Sequence, residues 1–360
     1  KLLLKFSVPC IMGLLISAFY NIVDQIFIGN STLGYLGNAA TGVSFPVICI
    51  ANAFAWCVGD GAASYLSICA GRKDTDSAHK SVGTGITVTL LISIVLMLIC
   101  EIAAVPLMNL FGASDQTLGL SVTYFRIVAA FFPFYLLLNV MNSMIRADGS
   151  PAFAMKAMVM GAIINIILDP IMIFGWFGFP ALGVQGAAIA TVIAQITSMA
   201  MSFFVLLSRE HDVKVDVKHF HFHMDCIKKI LAVGVPNACM NALNSFLVMG
   251  LNTILIGFSN AAVAVFGIYF KLQTFVFMPA SGLTQGAMPL MGYNYGAGYH
   301  QRLHEALKYA ISVTGIIMLC GCLLFEIFPT QLLGLFDANA EMMNIGVPAL
   351  RIIGISFIPA

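Results

Sequence analysis

Charged residues are scarce in this sequence, and their scarcity excludes most classes of soluble protein. Asp, Glu, Lys and Arg make up 9% of the 360 residues, and hydrophobic residues make up 60%. Soluble domains carry about 25% charged residues, and a soluble fold of this size cannot bury so much apolar surface. The formal net charge of +1 also gives no indication of nucleic acid or of an acidic partner.

Motifs of ATP-driven and catalytic proteins are missing as well. The sequence has no P-loop pattern, and hence no ATP-hydrolysing motor of that type. It has no Gly-x-Ser-x-Gly elbow, no His-Glu-x-x-His and no histidine within an apolar segment, which argues against an intramembrane hydrolase. The nine cysteines occur singly, mostly in apolar runs, and are interpreted as packing residues. We therefore expect neither an enzyme nor a cofactor.

Long apolar runs dominate the chain. Because a membrane-spanning helix needs about 20 mostly apolar residues, we predict about ten spans, the last of them incomplete. They cover residues 6–28, 37–58, 83–105, 120–145, 154–176, 184–207, 228–257, 262–283, 307–328 and 345–360. The second span is expected to continue, with a bend, through Gly59 and Gly61 towards Ala70. The first span contains Asp24 and lacks a cleavage site, so we interpret it as a membrane helix and not as a signal peptide.

Basic residues are confined to alternate connections. Every Lys and Arg except Arg126, Lys271 and Arg351 lies at the N-terminus or in or beside the connections that follow even-numbered spans. The opposite connections contain none, at residues 29–36, 106–119, 177–183, 258–261 and 329–344. Basic loops stay on the cytoplasmic side. We therefore predict a multi-pass protein of a prokaryotic plasma membrane, such as the bacterial inner membrane, with a cytoplasmic N-terminus.

An internal repeat relates two parts of the chain. An offset of 225 positions connects Glu101 with Glu326, Arg126 with Arg351, Gly61 with Gly286 and Gly71 with Gly296, and Val8-Pro9 is echoed by Val235-Pro236 with a slip of two positions. Six spans per repeat give both halves the same orientation, related by an axis along the membrane normal. We predict an all-α polytopic fold of two six-helix lobes. An N-lobe (1–207, spans 1–6), a cytoplasmic linker (208–226) and an incomplete C-lobe (227–360, spans 7–10) would make twelve helices when completed.

The predicted linker contains histidines at alternate positions. On a strand, His219, His221 and His223 would share one face and could bind a metal. No spacing ties the nearby Asp225 or Cys226 to them, and we favour a solvated linker without a metal.

Two aspartates lie within predicted spans of the N-lobe, each beside other polar groups. Asn21 and Asp24 share a helix face, as do Asn165 and Asp169, and Thr191 follows a run of small residues that permits close helix approach. Ionisable groups inside a bilayer are unfavourable and by default indicate function. Carboxylate, amide and hydroxyl oxygens suit Na⁺ or a shared proton better than Zn²⁺ or Cu²⁺. The alternative is that each Asp is a buried packing residue.

Further polar residues within the spans are candidates for a substrate cavity: Asn21, Gln25, Tyr135, Asn139, Asn142 and Lys271. Lys271 lies in the middle of a predicted span and faces either a cavity or another helix. The repeated glutamates and arginines are interpreted as one structural Glu–Arg pair in each half.

With these residues in view, the sequence resembles the MATE (multidrug and toxic compound extrusion) transporters, most closely their MepA/DinF-like branch. Four stretches carry the resemblance: Pro9 to Gly29 with Tyr20-Asn21-Ile22-Val23-Asp24 inside it, Arg146-Ala147-Asp148-Gly149-Ser150-Pro151, Asn165-Ile166-Ile167-Leu168-Asp169-Pro170, and Gly183-Val184-Gln185-Gly186-Ala187-Ala188-Ile189-Ala190-Thr191. The resemblance implies two six-helix lobes in a V that export organic compounds, often cations, in exchange for Na⁺ or H⁺. It also implies an N-lobe cation site formed by Asp24, Asn165, Asp169 and Thr191.

The leading hypothesis is a secondary active multidrug exporter that works by alternating access, as a monomer in the lipid bilayer, on small organic molecules. The alternative is a lipid-linked oligosaccharide or lipid flippase of related architecture. Such flippases tend to have a strongly basic central cavity, whereas only Arg126, Lys271 and Arg351 lie within the spans away from their ends. The NorM-like branch carries acidic residues in C-lobe helices, but spans 7 and 8 contain none, which argues against a second cation site there.

Overall fold

The computed structural model describes residues 2–31, 34–208, 223–334 and 340–358. These residues form α-helices and no strand. The helices are α1 (Leu2–Gly29), α2 (Tyr35–Arg72), α3 (Thr75–Ile102), α4 (Ala104–Leu110), α5 (Leu118–Ala130), α6 (Phe132–Ala147), α7 (Pro151–Phe174), α8 (Val184–Ser208), α9 (Met224–Ile256), α10 (Asn260–Gly296), α11 (His300–Ile327), α12 (Pro329–Gly334) and α13 (Ala340–Ile355). A single 3₁₀ turn, Trp176–Gly178, connects α7 towards α8.

Several of these helices are suited to crossing a membrane. Six are long and apolar enough, namely α1, α2, α3, α7, α8 and α11, and the bent pair α5 and α6 would together form a seventh span. The remaining predicted spans coincide with α9, α10 and α13. The prediction of an all-α, multi-pass membrane protein is therefore confirmed.

The predicted span 120–145 is not one continuous helix. It is broken at Phe131 into α5 and α6, which meet at a bend of 54°. Pro133, the second residue of α6, has no N–H to donate to the carbonyl of Ala129, so the helical ladder is interrupted. The Phe131 N–H instead donates to the Val128 carbonyl at 3.2 Å. The bend turns α6 relative to α5 and so sets the direction in which the polar residues of α6 point.

Two helices run further than their apolar segments alone indicate. Helix α2 continues through Gly59 and Gly61 to Arg72, as predicted, and ends where Lys73 adopts a left-handed conformation with φ 58°. Helix α10 continues beyond the predicted end at residue 283 to Gly296. These extensions bring the ends of α2 and α10 against each other.

The predicted linker lies largely outside the described residues, which omit 209–222. Its last part is helical, because α9 begins at Met224 and not at the predicted residue 228. Cys226 and Ile230 of α9 are buried in a core cluster with residues of α2, α3 and α6. The start of the C-terminal half therefore packs directly against the N-terminal half.

Apolar side chains fill three buried clusters. Two lie in the N-terminal half, one around Leu66 and Met144 and another around Phe125 and Phe132, and the third lies in the C-terminal half around Phe325. Within the third cluster the rings of Phe325 and Phe357 lie edge to face, with centroids 5.0 Å apart. Each half thus has a cluster of its own, around Phe125 in one and around Phe325 in the other, and the cluster around Leu66 and Met144 also includes Cys226 and Ile230 of α9.

Glycines let the backbones of the two halves touch. A Cβ on Gly61 of α2 would overlap the Ile230 carbonyl oxygen of α9, and a Cβ on Gly234 of α9 would overlap the Cys57 carbonyl oxygen of α2. On the other side of the interface, Cβ atoms on Gly286 and Gly282 of α10 would lie 2.6 Å from Ser7 Cα and 2.7 Å from Ile11 Cα of α1. No side chain fits at these four glycines without separating the helices.

One of the two predicted Glu–Arg pairs is present. Arg126 Nε lies 4.0 Å from Glu101 Oε2 in the N-terminal half. Glu326 and Arg351, both within the described residues, form no ion pair, so the prediction was wrong for the C-terminal half. An ion pair at 4.0 Å between partly exposed groups contributes little stability. The lack of such a pair in the C-terminal half therefore has little effect on the stability of the fold.

Candidate cation site and adjoining cavity

Helices α1 and α7 pack closely and bring two acidic residues together. Asp24 of α1 and Asp169 of α7 are 7% and 0% exposed, and their carboxyl groups are close enough to interact electrostatically. Gly13 permits the approach, because a Cβ there would already lie 3.3 Å from the sulfur of Met158 on α7. Two carboxyl groups from different helices therefore share one buried position.

An amide and a hydroxyl complete the group. Asn165 lies one helical turn before Asp169 on α7, and its Nδ2 donates to Asp169 Oδ1 at 3.2 Å and to Thr191 Oγ1 of α8 at 3.4 Å. Gly161 lets α7 and α8 approach, because a Cβ there would overlap Ser198 Oγ. The structure thus brings together all four residues that we predicted for the cation site.

The oxygen atoms of this site are incompletely satisfied. Asp24 Oδ1, Asn165 Oδ1 and Asp169 Oδ2 are buried and accept no hydrogen bond. A buried polar oxygen without a partner is unfavourable and calls for an explanation. Two adjacent carboxylates also repel each other unless a proton or a cation lies between them. The group therefore has the donor chemistry of a site for a hard cation such as Na⁺, or for a shared proton.

A cavity with both polar and apolar lining residues adjoins the cation site within the N-terminal half. Its volume is about 120 Å³, which is room for several water molecules and less than the roughly 300 Å³ of the smallest drug-sized pockets. Polar residues lining it are Ser17, Tyr20, Tyr135, Asn139, Asn142, Asn165, Thr191, Gln195 and Ser198. The cavity thus includes three of the predicted substrate residues and shares Asn165 and Thr191 with the cation site.

Hydrogen bonds fix part of the cavity wall. The Tyr135 hydroxyl donates to Asn52 Oδ1 of α2 at 2.7 Å, and Asn139 Nδ2 donates to the Tyr135 carbonyl at 2.9 Å. Gln195 Oε1 is buried and accepts no hydrogen bond. An unsatisfied acceptor beside a cavity of this size is what an ordered water would satisfy.

Sequence reasoning missed four polar residues of this cavity. Ser17 and Tyr20 precede Asp24 by seven and four positions, and Gln195 and Ser198 follow Thr191 by four and seven positions. Side chains at these spacings lie on the same face of a helix. Extending the face of each predicted site residue by two turns would therefore have found all four.

Three predicted substrate residues lie elsewhere. Asn21 is exposed and its Nδ2 donates to the Ser17 carbonyl at 2.8 Å. Gln25 is exposed and its Nε2 lies 3.5 Å from Thr41 Oγ1. Lys271 is exposed on α10, in the other half of the molecule. These three residues are exposed and do not line the N-terminal cavity.

The structure gives no support to a histidine metal site. His219 and His221 lie outside the described residues, and His223 Nδ1 lies 3.4 Å from Thr84 Oγ1. Among the residues that are described, no three His, Cys, Asp or Glu side chains gather as metal ligands would.

The chain belongs to the MATE family. The family model MatE matches residues 9–171 and 236–360, which include most of α1, most of α7 and most of the C-terminal half. Proteins of this family are transporters, and the chain is accordingly not an enzyme. The resemblance that the sequence motifs indicated is confirmed.

Individual relatives agree with this assignment. The multidrug export protein MepA of Staphylococcus aureus is 29% identical over 354 residues, covering 98% of this chain and 77% of that protein. A solved outward-facing conformation of a multidrug resistance MATE family transporter of the MOP superfamily superposes with a TM-score of 0.91 at 26% identity, covering 99% of this chain and 79% of that one. A MOP superfamily transporter from Pyrococcus furiosus, for which a reverse polarity of the binding pocket was taken to suggest a different function, superposes with a TM-score of 0.90 at 27% identity over the same shares. The match to MepA favours export over the flippase alternative.

Proposed function

We propose that the protein is a secondary active exporter of drug-like organic compounds, driven by the inward movement of Na⁺ or H⁺ through the site at Asp24 and Asp169. The observation that carries this proposal is the pair of buried carboxyl groups from α1 and α7 with unsatisfied oxygens beside them. Membership of a transporter family, with a multidrug export protein among the relatives, supplies the class of substrate.

The coupling ion acts on the distance between α1 and α7. With a proton or Na⁺ bound, the repulsion between the Asp24 and Asp169 carboxylates is removed, and the two helices are held together. Loss of the ion leaves two like charges in a buried site, which favours their separation or hydration. An ion shifts a conformational equilibrium only by its difference in affinity between the two states, and this change in separation provides such a difference.

The cavity and α10 connect the site to the rest of the molecule. Asn165 and Thr191 belong to both the cation site and the cavity, so water in the cavity gives the ion a hydrated route to the carboxylates. Helix α1 also contacts α10 of the other half at Ser7 and Ile11. A displacement of α1 is therefore transmitted to the contact between the halves, and Pro170, which has no N–H to donate to the Ile166 carbonyl, weakens α7 next to Asp169.

The same proposal includes the placement of the chain in the membrane. The N-terminus lies in the cytoplasm, residues 1–207 and 227–360 form the two lobes, and the protein acts as a monomer. Support comes from the distribution of Lys and Arg in the sequence and from the two buried clusters, around Phe125 and around Phe325, that each contain residues of one half only.

Transport in everted membrane vesicles tests the function. Uptake of a fluorescent dye should follow an imposed Na⁺ gradient or pH gradient, and should be lost in a variant that carries both Asp24→Asn and Asp169→Asn. Asp115→Asn makes the same chemical change at an exposed loop position and should transport at the wild-type rate. Dye uptake that is independent of both gradients, or that survives in the double variant, would contradict the proposal.

A further inference from the structure

The connection between α7 and α8, residues 175–183, is largely exposed but contains almost no polar side chain. We infer that this aromatic loop inserts the rings of Trp176, Phe177 and Phe179 into a membrane interface, so that the lipid bilayer is the partner that covers it. The inference goes beyond the proposed function, because it depends neither on the coupling ion nor on the substrate.

The composition of the aromatic loop makes it poorly suited to water. Its sequence is Gly-Trp-Phe-Gly-Phe-Pro-Ala-Leu-Gly, and the indole N–H is its single polar side-chain group. The other connections predicted on the same side, at residues 29–36, 106–119, 258–261 and 329–344, each contain Asn together with Ser or Thr. Exposed apolar patches mark contact with another molecule or with a membrane, and this loop is such a patch.

Three aromatic side chains project from the loop. Trp176, Phe177 and Phe179 are 54%, 87% and 55% exposed. The backbone of Phe177 is left-handed, with φ 57°, a conformation that is unfavourable for a residue of this size and persists only where something holds it. Burial of the ring in the bilayer would offset this unfavourable conformation, whereas exposure of the ring to water would add to it.

The length of α7 places the loop at the boundary of the membrane. Lys156 marks the opposite boundary, because it is exposed and its ammonium group lies 4.9 Å from the centre of the Phe153 ring, one turn nearer the start of the helix. Phe174 follows Lys156 by 18 positions (174 − 156), or about 27 Å at 1.5 Å per residue, which is close to the roughly 30 Å of the hydrocarbon core. The next residues therefore lie at the level of the headgroups, where aromatic side chains collect. In the proposed placement of the chain this is the outer leaflet.

One side of α7 leads to the loop and faces lipid. Met160, Ile163 and Ile167 are exposed, and their spacing of three or four residues puts them on one side of the helix. Within a span, the acyl chains are the apolar surroundings that such side chains contact. Phe174 lies two turns beyond Ile167 on the same side, and its ring stacks on that of Trp176 with the centroids 6.1 Å apart. The aromatic loop thus continues a surface that lipid covers.

The loop is held firmly against the end of α7. The Leu182 N–H donates to the Met172 carbonyl at 3.0 Å. Gly175 permits this turn, because its φ is 76° and a Cβ there would lie 2.7 Å from the carbonyl oxygen of Phe179. The rings of the loop therefore cannot enter the interface without fixing the end of α7 there as well.

The ring of Phe174 extends this attachment to α1. It lies edge to face with the ring of Phe27, with the centroids 6.2 Å apart. Phe27 is the third residue after Asp24, and Phe174 is the fifth after Asp169. The loop thus anchors the parts of α1 and α7 that lie next to the two aspartates.

The fluorescence of Trp176 tests the inference directly. The protein contains two tryptophans, so Trp56→Phe leaves Trp176 as the only indole. The purified variant is placed in vesicles whose phosphatidylcholine is brominated either near the headgroup end of the acyl chains or near their terminal methyl groups. The shallow bromines should quench most of the emission and the deep ones much less, and aqueous iodide should quench little.

Substitutions at Phe177 make the test specific. In the same single-tryptophan protein, Phe177→Asp should lower quenching by the shallow bromines by at least half and raise quenching by iodide, because a charge is unfavourable in the apolar part of the interface. Phe177→Gly should also lower lipid quenching, without lowering the midpoint of thermal unfolding in detergent, since glycine adopts a positive φ readily. Leu110→Asp introduces the same charge at an exposed apolar position at the end of α4 and should leave the quenching of Trp176 unchanged.

The outcomes separate the aromatic loop from the transport function. Strong quenching of Trp176 by iodide, with none by either brominated lipid, would overturn the inference, because the loop would then lie in water or against a soluble partner. Stronger quenching by the deep bromines than by the shallow ones, or lipid quenching that neither Phe177 variant alters, would overturn it as well. These measurements involve no transport, so a loop in water would not contradict gradient-driven export, and loss of export would not alter the quenching.

Discussion

Gly71 and Gly296 make equivalent contacts across the interface between the two halves. A Cβ on Gly71 of α2 would overlap the carbonyl oxygen of Tyr293 on α10, and a Cβ on Gly296 of α10 would overlap the carbonyl oxygen of Ile68 on α2. Ile68 and Tyr293 are separated by the same 225 positions as the two glycines. The repeat in the sequence is therefore also a symmetric contact in space.

This contact should not tolerate a side chain. Gly71→Val or Gly296→Val forces the ends of α2 and α10 apart, and we expect a loss of about 1–3 kcal/mol of stability, as for overpacked sites, together with loss of transport. The midpoint of thermal unfolding in detergent measures the first effect. Gly315→Ala, where a Cβ would meet nothing within 4 Å, is the matched control and should not lower the midpoint.

Neutralising either carboxylate of the cation site should abolish coupling. Asp24→Asn and Asp169→Asn remove one of the two like charges whose balance the ion controls, so we expect insertion to remain and gradient-driven dye export to be lost in each. Asn165→Ala and Thr191→Ala remove a neutral group and should reduce export less. Export at matched expression measures this, and wild-type rates with unchanged ion dependence in both Asn variants would leave the carboxylates as packing residues.

Asp60 connects the two halves through hydrogen bonds. Its Oδ1 accepts from Ser143 Oγ of α6 at 3.2 Å, and its Oδ2 accepts from Asn237 Nδ2 of α9 at 2.7 Å. Arg146 in turn donates to Ser143 Oγ at 2.8 Å. Asp60→Ala leaves the Ser143 and Asn237 donors without this acceptor, which should lower the free energy of unfolding by about 1–3 kcal/mol. The substitution should also loosen the contact between α2 and α9.

Thiol labelling reports that loosening. Cys57 is buried at 8% exposure, and its carbonyl lies against Gly234 of α9. In a protein whose other cysteines are replaced, Asp60→Ala should raise the rate of Cys57 labelling about tenfold, the equivalent of 1.4 kcal/mol. Asp76→Asn, which alters an exposed pair with Lys80, should not. Unchanged labelling in Asp60→Ala would show that the hydrogen bonds do not hold the helices together.

The start of α3 should have a pH-dependent contribution to stability. Asp74 accepts the Ser77 N–H at 3.0 Å, and this hydrogen bonding holds the pKa of the Asp74 carboxyl below its ordinary value. Because the pKa is lower in the folded protein, the stabilisation is present above the ordinary Asp pKa of about 3.9 and is lost as the pH falls through the lowered value. Asp74→Ala should therefore lower the unfolding midpoint at neutral pH, and the difference should shrink below about pH 4. A difference in unfolding midpoint that stays constant with pH would show that the negative charge of Asp74 does not stabilise the start of α3.

Much of the helical framework and the grouping of Asn165 with Asp169 could be predicted, because both depend on local spacing. Apolar runs of sufficient length define the spans, and Asn165 and Asp169 share a face on any helix. The break between α5 and α6 was also encoded locally, in Pro133, but the apolar run across it concealed the bend. The contact between the carboxyl groups of Asp24 and Asp169 could not be derived, because it depends on how α1 packs on α7.

The register between the halves shows another limit of sequence reasoning. The echo of Val8-Pro9 in Val235-Pro236 implies an offset of 227 positions, whereas the equivalent contacts Ser7 with Gly286 and Ile230 with Gly61 imply 223 for α1 and α9. The difference of four residues is about one helical turn. The packing register of two helices depends on where small residues permit close approach. The positions of the prolines therefore do not predict it.

The backbone crossings of α1 with α10 and of α2 with α9 also bear on how the two halves move. Interlocked side chains resist the rotation of one helix against another, because such a rotation requires their rotamers to change. A glycine that lies against a carbonyl or a Cα atom has no side chain to interlock, so the contacts at Gly234, Gly282 and Gly286 do not resist such a rotation. At these crossings one helix can turn on the other without a change of side-chain rotamer, whereas the cluster that buries Cys226 and Ile230 of α9 would have to repack.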